Sequence, residues 1–455
     1  MSGFRQRHLT MIALGGAIGS GLFVGTGAGI AAAGPGILIS FAAAAGLALL
    51  VLRMLGEMAA AYPSTGAFSF HAEKALGRWA GFTVGWLYWL ALVVVLAVEA
   101  SAAAKIATNW LPAVPQWSWV LLFMTAFTAV NLFTTRSFGE FEFWFAWIKV
   151  AAIIAFLTVG VLAITGLLPG TDSPGLTNLT THGFFPNGWS GTIAGLLIVV
   201  FAFGGIEVVT IAAAETPNPA TAVAKAIKDS VLRITIFYLG SLAVVVILLP
   251  YNDSTVSTSP YTAVLSHLNI PAAAPLMNAV IFVALLSALN ATLYGASRML
   301  SNLADRNDAP KSLRTTGSPR RAVLFSTTFG FISVLLNAFY PDTIFLVLIS
   351  AAGSTVLIVW ALITISQLRL RKHLEQTAPH LLTFPMWAYP YLSYLALAGI
   401  TAIVLLMLSD PIARLQLLCA AGVTTLVLIC AAIHTRRTTQ PVEERPGFQF
   451  DRPVG

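Results

Sequence analysis

The sequence predicts an all-α membrane protein of 12 transmembrane helices, and three observations carry that expectation. Hydrophobic residues make up 57% of the 455 residues and charged residues only 9%, whereas a soluble domain carries about 25% charge. Mean hydropathy is +0.82. The apolar residues fall in runs of about 20, the length that crosses the hydrocarbon core as a helix, and the alternating runs of about 10 residues that mark a membrane barrel are absent. So few charges exclude an ordinary soluble enzyme. So little polarity excludes a disordered chain. Two cysteines exclude a disulfide scaffold or a four-cysteine zinc domain.

Proline, glycine and charge punctuation divides the runs into spans at 10–32, 36–60, 80–107, 117–135, 143–167 and 189–213, then 230–250, 274–303, 322–339, 342–368, 386–408 and 413–434. Arg5, Arg7 and His8 precede a Gly-rich apolar stretch without an A-x-A-like cleavage site, so that stretch reads as the first span and not as a leader. With the N-terminus placed inside, 22 of the 25 lysines and arginines fall on one face; only Lys105 and Arg414 lie near the other, and Lys149 lies within a span. That bias predicts cytoplasmic N- and C-termini and an even number of spans. It also accounts for the net charge of +7 without nucleic acid as a partner. The connections at 166–188 and 251–275 hold no lysine or arginine and read as solvated outer loops. The resulting organisation is a tail at 1–9, a first set of five spans at 10–167, a second at 189–368, a pair at 386–434 and a tail from 435 to 455.

Two spans concentrate glycine at one point. Span 1 reads Leu14-Gly15-Gly16-Ala17-Ile18-Gly19-Ser20-Gly21, and span 6 reads Phe201-Ala202-Phe203-Gly204-Gly205-Ile206-Glu207. Each interior glycine costs a helix about 1 kcal/mol relative to alanine, so local unwinding is cheap there. Unwound backbone at membrane depth is tolerated where it lines a cavity or is buried in protein. Breaks at the first member of each set of five fit an inverted-repeat transporter. Freed N–H groups suit a carboxylate and freed carbonyls suit an ammonium group, so a zwitterion such as an amino acid matches both. The competing reading is that these glycines only let helices pack closely.

Three ionisable groups fall inside spans: Glu99, Lys149 and Glu207. A charge at the bilayer centre costs about 2.5–3.5 kcal/mol, so each is a functional candidate. Lys149 either snorkels to the interface or loads and releases a proton. Glu207 follows the span 6 break and either takes a proton or braces the broken helix. Glu99 reads as a secondary candidate that pairs with a neighbouring helix. Phe203 is placed to lid the break, and Trp86, Tyr88 and Trp89 read as core or interfacial aromatics. Cys419 and Cys430 read as small apolar fillers. The histidines lack metal-ligand spacing, and no phosphate loop or nucleophile elbow is present, so neither a metal nor a cofactor is expected.

The chain resembles the bacterial amino acid permeases of the amino acid–polyamine–organocation superfamily, in its amino acid transporter branch. The resemblance rests on the run from Arg7 to Phe23, Gly34-Pro35-Gly36, Arg53-Met54-Leu55-Gly56-Glu57-Met58 and Pro63-Ser64-Thr65-Gly66. It continues through Gly85-Trp86-Leu87-Tyr88-Trp89, the run Gly139-Glu140-Phe141-Glu142-Phe143-Trp144-Phe145-Ala146, Phe203-Gly204-Gly205-Ile206-Glu207 and Ser297-Arg298-Met299-Leu300. It implies a multi-pass protein of the plasma (inner) membrane, with a five-plus-five inverted repeat, broken helices 1 and 6 and two extra C-terminal helices. It implies that Ile18, Gly19, Ser20 and Gly21 hold a substrate carboxylate and that Ala202, Phe203 and Gly204, continued by Gly205 and Ile206, receive the amino group. Lys149 would stand where sodium-coupled relatives bind sodium, which implies proton coupling, with Glu207 as a second proton site. The runs 207–215 and 73–81 look most like 4-aminobutyrate permeases, whereas Gly15 to Gly21 follows the α-amino acid permease pattern.

The expected function is therefore import of an amino acid, 4-aminobutyrate or a neutral α-amino acid, by proton symport with alternating access. The partners are the amino acid, protons and the lipid bilayer. No bond in the substrate changes, so no enzyme is expected. An exchanger on the same scaffold is the nearest alternative, and a channel is a more distant one.

Overall fold

The computed structural model describes residues 18–62, 67–133, 138–205, 221, 236–314, 319–409 and 411–437. The described residues are helical, with turns and bends between the helices and no strand among them. In chain order the main helices are α1 (Thr26–Ala33), α2 (Ile37–Ala61), α3 (Ala67–Leu76), α4 (Arg78–Trp110), α5 (Gln116–Phe133) and α6 (Phe138–Ile164). Then come α7 (Gly188–Ala202), α8 (Ile236–Leu248), α9 (Pro260–His267), α10 (Ala273–Asp305), α11 (Arg320–Gly330), α12 (Ile332–Phe339), α13 (Ile344–Thr377), α14 (Tyr391–Ser409) and α15 (Pro411–Arg437). Among the described residues eight helices are long and apolar enough to cross a membrane: Gly21–Ala61, Arg78–Trp110, Glu142–Ile164, Ala273–Asp305, Arg320–Phe339, Ile344–Thr377, Tyr391–Ser409 and Ala413–Thr435.

The centre of the molecule is α4, which packs along α10 and α13. Its Ala97, Ala100, Ser101, Ala102, Ala103, Ala104 and Ala107 are buried. Small side chains let helices approach closely where lipid supplies no hydrophobic drive for association. The outer helices show the opposite face. Leu415, Leu418, Leu426 and Ile429 of α15 are all more than half exposed, which suits a surface turned to lipid.

Charges cluster at one end, where the connections between α2 and α4 and after α10 meet. Arg78 donates to Asp308 at 3.2 Å, Arg306 lies 3.5 Å from the same carboxylate and is paired with Glu73, and Trp86 donates to the Asp308 carbonyl at 3.1 Å. Arg78 also donates to His434 of α15 at 2.9 Å. Nearby, the buried Glu57 of α2 accepts from Gln367 at 2.8 Å and from Arg371 at 2.7 Å, both on α13, and from the Met386 backbone.

The structure departs from the sequence expectations in several places. The stretch 251–275 is not a plain solvated loop: it forms a helical turn at Ser254–Thr258 and then α9, whose Tyr261, Val264, Leu265 and Leu268 turn inward. That spacing is an amphipathic stripe; the turn before it, Ser254–Thr258, is capped by Asp253, which accepts the Thr255 N–H at 2.8 Å and the Thr255 hydroxyl at 2.7 Å. These bonds hold the Asp253 carboxyl below its usual range. The stretch 322–339 divides at Phe331 into α11 and α12. Residues 67–76 form α3, a packed helix, and α15 runs to Arg437, past the start of the expected tail. Cys419 and Cys430 are exposed and fill nothing, because the face of α15 that carries them turns outward.

Candidate functional site

The glycine-rich start of the described chain enters the helical core at Ile18. Ile18 and Ser20 are fully buried. Leu22 and Phe23 both donate to the Gly19 carbonyl at 3.2 Å. These bonds close a tight entry turn, and the wider π-type turn Gly21–Gly25 follows it and precedes α1, a geometry frequent at functional sites. A Cβ on Gly21 would lie 2.7 Å from the Ala202 Cα, so this turn touches the end of α7 backbone to backbone.

At that end α7 stops. Ala202 is its last residue, and Phe203, Gly204 and Gly205 form a turn with Gly205 at φ +93°. Such a φ is nearly free for glycine and strained for other residues. The Ala202 carbonyl, released from the helix ladder, accepts the Tyr238 hydroxyl of α8 at 3.1 Å. Phe203 is buried and stacked on Tyr238 with ring centroids 5.2 Å apart. Ile206 and Glu207 lie outside the described residues, as do Gly15 and Gly16.

Glu99 of α4 reaches across to the other segment. Its carboxylate accepts the Ser20 backbone N–H at 3.1 Å through each oxygen and the Ser20 hydroxyl at 2.8 Å. Glu99 therefore does pair with a neighbouring helix, and it pairs at the segment singled out for carboxylate binding. Lys149 of α6 is completely buried, so it does not snorkel. Its Nζ lies 3.9 Å from Glu142 Oε1 and within electrostatic range of Glu99.

Glu142, fully buried on α6, lies one position before the expected span start at residue 143, so the sequence alone does not mark it as a group inside the membrane. A signal was present: Glu142 and Lys149 are seven residues apart, two helical turns, which places them on one face. Ser287 of α10, also unmarked in the sequence, donates to the Glu142 carboxylate at 3.0–3.1 Å. Its neighbour Ala288 packs against Gly19, where an added Cβ would meet the Ala288 methyl at 3.1 Å. The structure thus gathers Ser20, Glu99, Lys149, Glu142 and Ser287 into one buried polar site, with Ala202 and Phe203 beside it across Gly21. Tyr88 and Trp89 belong to the core, and Trp86 to its edge.

A charged site sealed inside apolar, membrane-length helices defines an integral membrane protein whose chemistry lies at its centre. The model of the amino acid permease family matches residues 8–443, and the chain belongs to that family. It is an amino acid transporter. It is 46% identical to a gamma-aminobutyric acid permease of Bacillus subtilis (strain 168) over 437 residues, covering 95% of this chain and 93% of the relative. It is 48% identical to the aromatic amino acid transport protein AroP of Corynebacterium glutamicum, covering 91% of each chain. A gamma-aminobutyric acid permease of Escherichia coli (strain K12) is 42% identical, with 94% of this chain and 92% of the relative covered.

Proposed function

We propose that the protein imports a zwitterionic amino acid by proton symport, with the substrate carboxylate taking the place of Glu99 on Ser20. One observation carries this reading: the Ser20 N–H and hydroxyl already hold a carboxylate, at 3.1 and 2.8 Å. The substrate carboxylate displaces Glu99. The amino group goes to the carbonyls released where α7 ends, beside Ala202, Phe203 and Gly204, with Gly205 and Ile206 continuing the segment. Lys149 answers the displaced charge and couples proton movement to the facing state through differential affinity. Glu207 stands as a second proton site in this reading.

The scaffold we infer is twelve spans, a five-plus-five inverted repeat with helices 1 and 6 interrupted and two further helices. It lies in the plasma membrane with both termini cytoplasmic. The one-sided distribution of lysine and arginine supports that orientation. The candidate substrates are 4-aminobutyrate and neutral α-amino acids, because the relatives named above are divided between 4-aminobutyrate and aromatic amino acids.

Uptake into proteoliposomes tests this, with a panel of labelled amino acids including 4-aminobutyrate, with and without an imposed pH gradient. We expect accumulation only when the outside is acid. Lys149→Ala abolishes that accumulation while insertion stays intact. Normal proton-driven accumulation in Lys149→Ala refutes the coupling role, and obligatory exchange in the wild type would turn the assignment to an antiporter.

A further inference from the structure

Three charged side chains share the buried site, and they do not balance. Glu99 and Glu142 are both carboxylates, and among the described residues Lys149 is the one ammonium within electrostatic range of both. All three are at most 4% exposed. A fully ionised set would leave one negative charge without a counter-charge in a low-dielectric interior, which proteins avoid by taking up a proton or a cation. In this structure Glu99 is held at Ser20, whose N–H and hydroxyl both donate to its oxygens. Glu142 has a different kind of partner. The Ser287 hydroxyl lies 3.0–3.1 Å from its two oxygens, and a hydroxyl can donate to an ionised carboxylate or accept from a protonated one. The Lys149 Nζ stands 3.9 Å away, within ion-pair range and beyond a direct hydrogen bond.

We propose that Glu142 carries the coupled proton, with Ser287 as the partner that serves both its protonated and its ionised form. This rests on the proton-symport reading above. The proton bound from outside forms an O–H bond on Glu142 and leaves Lys149 charged to compensate Glu99. Release to the cytoplasm breaks that bond and returns Lys149 to Glu142. Among the described residues the groups that face Glu142 are Lys149 from its own helix and Ser287 from α10. Glu99 of α4 acts through Lys149, and Tyr238 and Tyr261, from α8 and α9, are in range of each other and Tyr238 of Glu99. Glu142 lies near the start of α6, at the end expected to face the cytoplasm, with Lys149 two turns deeper.

The test uses the full chain in proteoliposomes, with whichever of labelled 4-aminobutyrate or phenylalanine the wild type takes up. Glu142→Gln is expected to keep measurable counterflow exchange while gradient-driven accumulation falls to the equilibrium ratio. Ser287→Ala is expected to move the pH midpoint of uptake upward by roughly half a unit or more, because the hydrogen bond it removes is about twice as strong to the ionised carboxylate as to the neutral acid. Wild-type accumulation in Glu142→Gln overturns the proposal and leaves the symport reading standing. Loss of exchange together with accumulation in a folded Glu142→Gln also overturns it, because the residue would then be structural. Where Glu142→Gln does not fold, the Ser287→Ala profile decides: an unmoved midpoint overturns the assignment. A wild type that never responds to a pH gradient overturns both readings together.

Discussion

The Ser20 hydroxyl and the Glu99 carboxylate lie 2.8 Å apart although 79 residues separate them in sequence. The Ser20 backbone N–H points at the same carboxylate. A carboxylate at the first turn of a helix gains both from the free N–H and from the helix dipole. The glycine-rich segment thus holds the carboxylate of a side chain from another helix.

Glu99→Gln keeps an acceptor for Ser20 and removes the charge. A charge-assisted bond is about twice as strong as a neutral one, so the internal competitor weakens by roughly 1 kcal/mol. Substrate is then expected to bind about fivefold more tightly. Titration of intrinsic tryptophan fluorescence in detergent reads this directly, and weaker binding would contradict displacement of Glu99.

Gly21→Ala would place a methyl 2.7 Å from the Ala202 Cα. Backbone cannot step aside as a flexible side chain does, and overpacking of this kind costs about 1–3 kcal/mol. The variant should melt at a lower temperature than the wild type and transport poorly. Gly46→Ala in α2, with nothing within 4 Å of the new methyl, should melt at or above the wild-type temperature. Equal melting of the two variants would remove the close-contact explanation.

Asp308→Asn removes the carboxylate shared by Arg78 and Arg306, all three of them buried. Breaking a buried ion pair from one side costs roughly 3–5 kcal/mol. Thermal aggregation followed by size-exclusion chromatography should show marked loss of stability. Charge deletion at the exposed Glu375, which pairs with Arg371, should cost less than about 1 kcal/mol.

His71 of α3 gives a pH signature. Burial pushes its imidazole down to about 4, the Tyr62 carbonyl pulls it up, and Lys74 pushes it further down. The folded state thus resists protonation while the unfolded chain takes a proton near pH 6.5. Stability is complete above that pH and falls as the pH drops toward 4, by about 1 kcal/mol per unit. His71→Asn should flatten the melting-temperature profile across that window, and an unchanged slope would refute it.

Most helices were legible because apolar runs long enough to span a bilayer leave few alternatives. The glycine segments were legible too, since Gly19–Gly21 and Gly204–Gly205 concentrate what a helix interior avoids. Lys149 and Glu99 stood out as charges deep in apolar sequence. Glu142 did not, because an acidic residue beside an expected helix end looks like an ordinary polar boundary. Its burial depends on α10 supplying Ser287, 145 residues away. The inward face of α9 was hidden by serine and threonine around it, and only contact with Phe23 and Phe156 gives its Tyr261 a place. Tertiary neighbours decided these cases, and no local pattern encodes them.

The seat of Glu99 on Ser20 also bears on the tightness of the membrane between turnovers. A carrier waiting with bare amide hydrogens in mid-bilayer would offer chloride and other stray anions a foothold, and each passage would leak current. A tethered negative charge already in that seat repels small inorganic anions, and on the proposed reading it yields to a cargo that brings its own carboxylate together with a positive charge.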